Sequence, residues 1–347
     1  MNHSFLPAFR FSFSLALTTL WLLGCSAAET EEVQEEVQAE QSTKPAAEYF
    51  LTNENTHNRW SRTIPPVLRV PSGAVIEVQT KEASDQQITP TSTIEDLANM
   101  DSSLVHPLTG PVYVEGAEPG DTLAVTLIEL EVLGWGWTAA RPGRGFLPDV
   151  PGEPLLKIFQ IDKGSRLARF SDNISIPIKP FPGVMGVAPD TDEMLRTRPP
   201  RENGGNMDNK YMTEGTIVYF PVLVEGALFS IGDAHAAQGD GEVSGTGIEA
   251  PMRIVYQVDV IKGGRKISEP QYETDEYYAV TGFAPTIDEA ARKATQFMVD
   301  YLVAEHRLTP IEAYSLCSLA GDLKISEVVD LPNVLVSMHM PKNLFHQ

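Results

Sequence analysis

Thr122-Leu123-Ala124-Val125-Thr126-Leu127-Ile128-Glu129-Leu130-Glu131-Val132-Leu133 alternates in part between apolar and polar positions and is rich in β-branched residues. That is the pattern of a strand with one face buried. The same texture recurs on either side of it. Val67 to Val70, Val75 to Thr80 and Val112 to Glu115 precede it; Ile217 to Val224, Leu228 to Ile231 and Met252 to Ile261 follow. Gly-Asp, Pro-Gly and Glu-Gly pairs punctuate these runs, so the chain is predicted to be mainly β, with a two-sheet β-sandwich core. Pro111-Val112-Tyr113-Val114-Glu115-Gly116-Ala117 is echoed by Pro221-Val222-Leu223-Val224-Glu225-Gly226-Ala227. Two related halves would explain the echo, and chance repetition of strand-turn composition explains it as well.

Between the strand runs, Arg141 to Glu214 is dense in Pro, Gly, Arg and Asp, and predicts long ordered loops around a few strands. The period then changes. Thr286-Ile287-Asp288-Glu289 is a capping box, after which Ala290, Ala294, Phe297 and Tyr301 share one helical stripe. Thr309-Pro310-Ile311-Glu312 opens a second helix. Helices from about 286 onward covering a β core make the class α+β overall. His306 and Cys317 are read as structural, and His339 and His346 as surface residues of the C-terminal tail.

The N-terminus predicts an address. After Arg10 an apolar run from Phe11 to Leu23 is too short to span a bilayer but suits a signal-peptide core. It ends in Leu22-Leu23-Gly24-Cys25, which resembles the bacterial lipobox. The expected organisation is a signal peptide over 1–24, lipidation at Cys25, a disordered acidic tether over 25–52 and a globular domain over 53–347. Such a protein is an exported, membrane-anchored lipoprotein, periplasmic or cell-surface, touching the membrane through its lipid alone. With Cys25 lipidated only Cys317 remains, so no intrachain disulfide is expected. Lys and Arg number 26 against 47 Asp and Glu, a net charge of −21, which argues against nucleic-acid or anionic-headgroup partners.

Common catalytic signatures are absent: there is no Gly-x-Ser-x-Gly elbow, phosphate-binding loop or His-Glu-x-x-His helix. The segment rich in chemistry is Gly232-Asp233-Ala234-His235-Ala236-Ala237-Gln238-Gly239-Asp240-Gly241-Glu242, continuing to Glu249. Asp233 and His235 are two apart, so an extended backbone points both to one face. Glycines allow Asp240, Glu242 and Glu249 to fold back toward it. Imidazole mixed with carboxylates suits zinc, with an open position for water. A polar turn or an oxygen-lined calcium loop is the competing reading.

This segment is similar to the hallmark of the acetamidase/formamidase family. So are Asn203-Gly204-Gly205-Asn206-Met207-Asp208 and His106-Pro107-Leu108-Thr109-Gly110-Pro111, and His57-x-x-Trp60 with Pro65-Pro66 matches the family's opening. The resemblance implies a β-sandwich that hydrolyses a small amide to carboxylate and ammonia with a divalent metal, zinc foremost; calcium belongs to the competing reading of the loop. Where the family carries Asp-Gly-Gln this chain has Ser84-Asp85-Gln86, keeping the acid and losing the glycine.

On that basis Asp233, His235 and Glu249 are the expected metal ligands, with Asp85, His57 and His106 as further candidates. Asn203, Asn206 and Asp208 are expected to orient substrate. Glu242 or Asp240 is the expected base. Lys210 either polarises the carbonyl or serves as a salt-bridged scaffold residue. Trp135 and Trp137 are expected in the core rather than in a pocket wall. The partner is the small amide, and a homo-oligomer is compatible with the sequence. The rival function is a surface-tethered, calcium-stabilised β-sandwich binding protein without turnover.

Overall fold

The computed structural model describes residues 44–264 and 266–346. The signal peptide, Cys25 and the tether as far as Thr43 lie outside the described residues. Tyr49–Leu51, expected in the tether, instead pairs in parallel with Val75–Thr80. The folded unit therefore begins near Lys44. The physical reason is local: Leu51 is buried against the core, so this short run has a face worth ordering.

The fold is mainly β, with helices near the C-terminus, and two sheets dominate it. The larger has nine strands, in the order Tyr49–Leu51, Val75–Thr80, Met252–Ile261, Thr122–Val132, Ile217–Pro221, Gln271–Glu273, Tyr277–Ala284, Val334–Pro341 and Asp322–Glu327. Its centre is the long antiparallel pairing of Thr122–Val132 with Met252–Ile261, broken by one bulge at Val255/Tyr256. The smaller sheet runs Gly204–Asn206, Phe181–Gly186, Phe229–His235, Leu108–Val114 and Thr56–His57, with Leu68–Val70 parallel to Leu108–Val114. The inward residues of the two sheets meet in one core. Phe229 of the smaller sheet packs against Phe220 and Tyr256 of the larger, with ring centroids 5.7 and 5.3 Å apart. Each such side chain, fully buried, contributes about 1.5–3 kcal/mol.

The echoed segments form equivalent turns. Ala117 N–H donates to Val114 O at 3.2 Å, and Ala227 N–H to Val224 O at 3.0 Å. The turns also bond each other, Val114 N–H to Gly226 O and Gly226 N–H to Ala117 O, both at 2.9 Å. The preceding residues differ: Leu108–Val114 is a strand throughout, whereas the second strand stops at Pro221.

Helices Ile287–His306 and Pro310–Ala320 begin at Thr286 and Thr309 as expected, each threonine side chain accepting a hydrogen bond from the backbone three residues on. The first helix buries Ala290, Ala294, Met298, Val299 and Leu302; Phe297 and Tyr301 sit half-buried at the edge of that stripe. With Cys317 these residues pack onto Tyr277–Ala284 and Val334–Pro341 as a second core. The C-terminal tail is thus not a surface appendage. Val334–Pro341 is an interior strand, and His339 is buried, its Nε2 hydrogen-bonded with the Tyr272 hydroxyl at 2.6 Å.

Candidate active site

Four pieces of backbone converge at one end of the smaller sheet. Asp233 and His235 end the strand Phe229–His235. Glu249 is bridged beside His235 and holds Trp137 through a reciprocal backbone pair at 2.7 and 2.8 Å. Asp208 follows the strand Gly204–Asn206, its N–H donating to Gly183 O at 3.2 Å. Glu242 comes from the turn after Gly241. Asp208, Asp233 and Glu242 all have positive φ, at 39°, 49° and 46°, which non-glycine residues adopt at a cost of about 1–3 kcal/mol each. Three such positions in one cluster show a backbone shaped to aim carboxylates.

His235 is at the centre. Its Nε2 lies 2.9 Å from Glu249 Oε2, 3.7 Å from Asp208 Oδ1 and 3.8 Å from Asp233 Oδ1. Its Nδ1 lies 2.7 Å from Gln238 Oε1, and the amide nitrogen of Gln238 donates to Asp208 O at 2.7 Å. That second bond fixes the amide with its oxygen toward the imidazole, so Nδ1 carries the proton and Nε2 presents a lone pair. Nε2 therefore faces the carboxylates, carrying a second proton when the imidazole is charged and a lone pair when it is neutral. His235 Nε2, Asp208 Oδ1, Asp233 Oδ1 and Glu249 Oε2 are all buried without a hydrogen-bond partner. Ligand atoms of Asp208, His235 and Glu242, and of Asp233, His235 and Glu249, lie within 4.8 Å of one another in each set, so these residues could hold a metal ion. Gly183 leaves the space open: a Cβ there would press on Asp208 Oδ1 and lie 3.2 Å from His235 Nε2.

The electrostatics agree. Burial pushes Asp208 and Glu242 well above the usual carboxylate range, reinforced for Asp208 by Glu242 and Asp330. Burial lifts Glu249 to about 7 against the pull of His235. Burial would depress His235, but Glu249, Asp233 and Asp208 outweigh it and hold the imidazole well above its ordinary value. Asp233 is lowered, because His106 and His235 outweigh its own burial. Asp208, Glu242 and Glu249 resist ionisation around an imidazole that favours protonation, which marks a cluster short of positive charge.

A cavity of about 350 Å³ opens above the cluster, with His106, Asn206, Asp208, Asp233, Glu242 and Asp330 among its lining. His106 reaches it with Nδ1 unpartnered, 3.6 Å from Asp233 Oδ2, and burial depresses this imidazole to about 4. Asn206 donates to Asp330 Oδ2 at 2.6 Å and leaves its own Oδ1 buried and unpartnered.

Other sequence-selected residues lie elsewhere. Both ring nitrogens of His57 are engaged, Nδ1 with Arg59 O at 2.7 Å and Nε2 with Ser230 Oγ at 2.8 Å, so the ring steadies the site strand. Asp85 pairs with Lys81 at 2.5 Å and belongs to neither ligand set. Asn203 donates to Val187 O and does not line the cavity. Lys210 pairs with Asp240 at 3.2 Å, and Tyr211 donates to the same carboxylate. Both line an adjacent groove of about 680 Å³ that Glu242 also borders. The turn at Gly241, with φ 90°, sends Asp240 outward and Glu242 inward. Trp137 is buried in the core, its indole N–H donating to Glu82 at 2.7 Å, and Trp135 is half-buried beside it.

Sequence reasoning missed Asp330 and Glu327. Glu327 ends the strand Asp322–Glu327 and Asp330 follows it, the two carboxylates flanking Val328-Val329. Burial lifts Asp330 to about 6. Glu327 accepts from the backbone of Val329 and Asp330 and so braces the turn that presents Asp330.

A β-sandwich with a buried carboxylate–imidazole centre at the floor of a polar cavity is the class of protein these features define. The chain belongs to the Acetamidase/Formamidase family, whose model matches residues 41–197 and 190–347. It is 32% identical to the acetamidase of Mycolicibacterium smegmatis, over 60% of this chain and 66% of that protein, just under two thirds of its length. It is 28% identical to the formamidase of Methylophilus methylotrophus, over 83% of this chain and 89% of that one. Among solved structures it is similar to the acetamidase from Bacillus halodurans, with a TM-score of 0.81 and 35% identity over 85% of this chain and 98% of that one.

Proposed function

We propose that this chain hydrolyses a small linear amide to a carboxylate and ammonia, using a divalent metal, zinc foremost, held by the buried cluster. The observation that carries the reading is the convergence of one imidazole nitrogen and several carboxylate oxygens, buried together and within 4.8 Å of one another in each set, inside a family whose relatives are named for acetamide and formamide. Asp233, His235 and Glu249 are the proposed ligands, with Asp208 also near the same imidazole nitrogen. A metal bound there supplies a polarised carbonyl and water made acidic enough to ionise near neutral pH.

The chain's own residues do the rest. Gln238 holds His235 in the tautomer that leaves Nε2 free. Asn206 Oδ1 accepts an N–H of the substrate amide, which its own bond to Asp330 aims. Glu242 takes a proton from the attacking water and delivers it to the departing nitrogen, without which the amide anion is too poor a leaving group. A base so placed accelerates by about a hundredfold to ten-thousandfold. The sequence Leu22-Leu23-Gly24-Cys25 supports placing this activity outside the cytosol on a lipid anchor.

The test is ammonia release, with metal content measured on the same sample. Chelation should abolish turnover and zinc restore it. His235→Ala should lose metal and activity together. Glu242→Gln should keep metal and fold while turnover falls about a hundredfold or more. Full turnover in metal-free protein would overturn the metal's role. A calcium-only protein that releases no ammonia from any amide would favour the binding-protein reading.

A further inference from the structure

The cavity above the acid floor has a second half of opposite charge. Arg141 and Arg144 enter its wall from one loop and Arg198 from another. In a chain of net charge −21, three guanidiniums at the mouth of one cavity would be expected to find carboxylates. None does: among the described residues, none of the three forms an ion pair or a side-chain hydrogen bond. Arg141 is half-buried, and burial followed by the repulsion of Arg144 and Arg198 holds it below its ordinary value. No carboxylate acts on it in the other direction. The arginines thus do not balance one another or, as a group, the acids beneath them. Arg198 acts on the floor, where it lowers Asp330 and His106.

Both loops are built into the site. Phe146 N–H donates to Val243 O at 2.8 Å, directly after Glu242. Arg144 N–H donates to Arg141 O at 3.1 Å, closing the turn that carries both side chains. Gly145 has a φ of 72°, and a Cβ there would lie 2.7 Å from Val243 O, so the arginine loop is seated on the Glu242 loop as closely as a backbone allows. On the other side, Thr197 Oγ1 accepts from His106 N–H at 3.0 Å and donates to Val105 O, which ties Arg198 to the His106 wall.

The size of the cavity points the same way. At about 350 Å³ it has room for about ten waters at ~30 Å³ each, and acetamide or formamide would displace only a few of them.

We propose that the amide hydrolysed here also carries a carboxylate: the substrate class is the half-amides of short dicarboxylic acids. The amide lies on the acid–imidazole floor and the distal carboxylate on Arg141, Arg144 and Arg198. The inference rests on the amide-hydrolase reading and specifies its substrate. A planar guanidinium matches a carboxylate with paired N–H donors, and such charge-assisted bonds are stronger than neutral ones. A neutral amide of equal length would leave that cationic wall without a partner, so the wall selects against it.

The experiment compares kcat/KM for oxamate, malonamate and succinamate with that for acetamide, propanamide and butanamide. At least one half-amide should exceed its neutral counterpart by tenfold or more. In Arg141→Gln and Arg198→Gln the ratio of half-amide to neutral amide should fall by at least tenfold, with the loss mainly in KM. The KM for the half-amide should also rise with ionic strength. Binding of succinate, followed by calorimetry on wild type and on both variants, gives a readout independent of turnover; the variants should bind it at least tenfold more weakly. Neutral amides turned over as well as every half-amide would overturn the inference while leaving amide hydrolysis standing. A preference or a succinate affinity that survives both substitutions would overturn it too. Absence of turnover on all six amides would sink the hydrolase reading, and succinate binding would still decide whether the arginine wall takes a carboxylate.

Discussion

Replacing Gly183 with alanine adds one methyl group at the point where the proposed ligand atoms meet. Gly183 lies within Phe181–Gly186, between the register pairs Pro182–Ala234 and Val184–Gly232, so its backbone cannot drift away from the neighbouring strand. The new Cβ would press on Asp208 Oδ1, lie 2.7 Å from Asp233 O and 3.2 Å from His235 Nε2. The Asp233 carbonyl is backbone and cannot yield, so the Asp208 carboxylate must swing out. Overpacking of this kind costs about 1–3 kcal/mol. Glycine-to-alanine change returns about 0.4–1 kcal/mol by restricting the unfolded chain. The net loss is then about 2.6 kcal/mol at most, or a fall in Tm of several degrees for a domain of this size. The protein should therefore fold, while the ligand set loses its geometry. Metal per chain, measured after dialysis against a graded zinc buffer, should show affinity reduced by at least about tenfold, and ammonia release should fall with it. A Gly183→Ala protein that folds normally and keeps wild-type metal content and turnover would refute the convergence argument.

Three other expectations test separate parts of the molecule. Gln238→Leu removes the acceptor that keeps the proton on His235 Nδ1; metal affinity should drop about 10–100-fold with little change in fold, and an unchanged affinity would show that the tautomer is set elsewhere. Burial, aided by Lys324 and opposed by Asp322 and Asp240, depresses His339 to about 4 from an ordinary 6.5. Its contribution is therefore fully present above pH 6.5 and lost as pH falls toward 4, at a slope of about 1.4 kcal/mol per pH unit. Urea unfolding of His339→Gln should show that slope reduced by about one proton between pH 6.5 and 4, and parallel pH profiles for the two proteins would contradict the assignment. Cys25→Ser should release the exported protein from the membrane fraction, and a variant that still sediments with membranes like wild type would sink the lipid-anchor proposal.

Much of the fold is legible in the sequence because strand periodicity and helix caps are local. The partial alternation of Thr122–Val132 and Met252–Ile261 and the threonine caps at 286 and 309 act within a few residues of themselves, and the structure uses each of them. The motif around Asp233 and His235 was likewise visible, although the left-handed φ of 49° at Asp233, not extended alternation alone, sets where that carboxylate points. Sequence also separated the chemistry-bearing loop, Gly232 to Glu249, from the remaining acidic surface.

Tertiary structure decided which acids join that motif. Glu242 and Asp240 are two residues apart and similar in composition, yet one turn at Gly241 sends the first into the cavity and the second to Lys210. Asp330 reaches the site from the loop between Asp322–Glu327 and Val334–Pro341, nearly a hundred residues past His235 in sequence, and Arg141, Arg144 and Arg198 from loops with no periodicity to read. His57 lies in a motif that suggests a ligand, but its two ring nitrogens are already committed to Arg59 and Ser230. Local patterns are written in neighbouring residues, whereas burial, the protonation it imposes and the meeting of distant side chains depend on how the sheets pack. The amino-acid order therefore determined the strands, the caps and the central imidazole; the folded core determined which carboxylates surround it and left a cation-lined space above them.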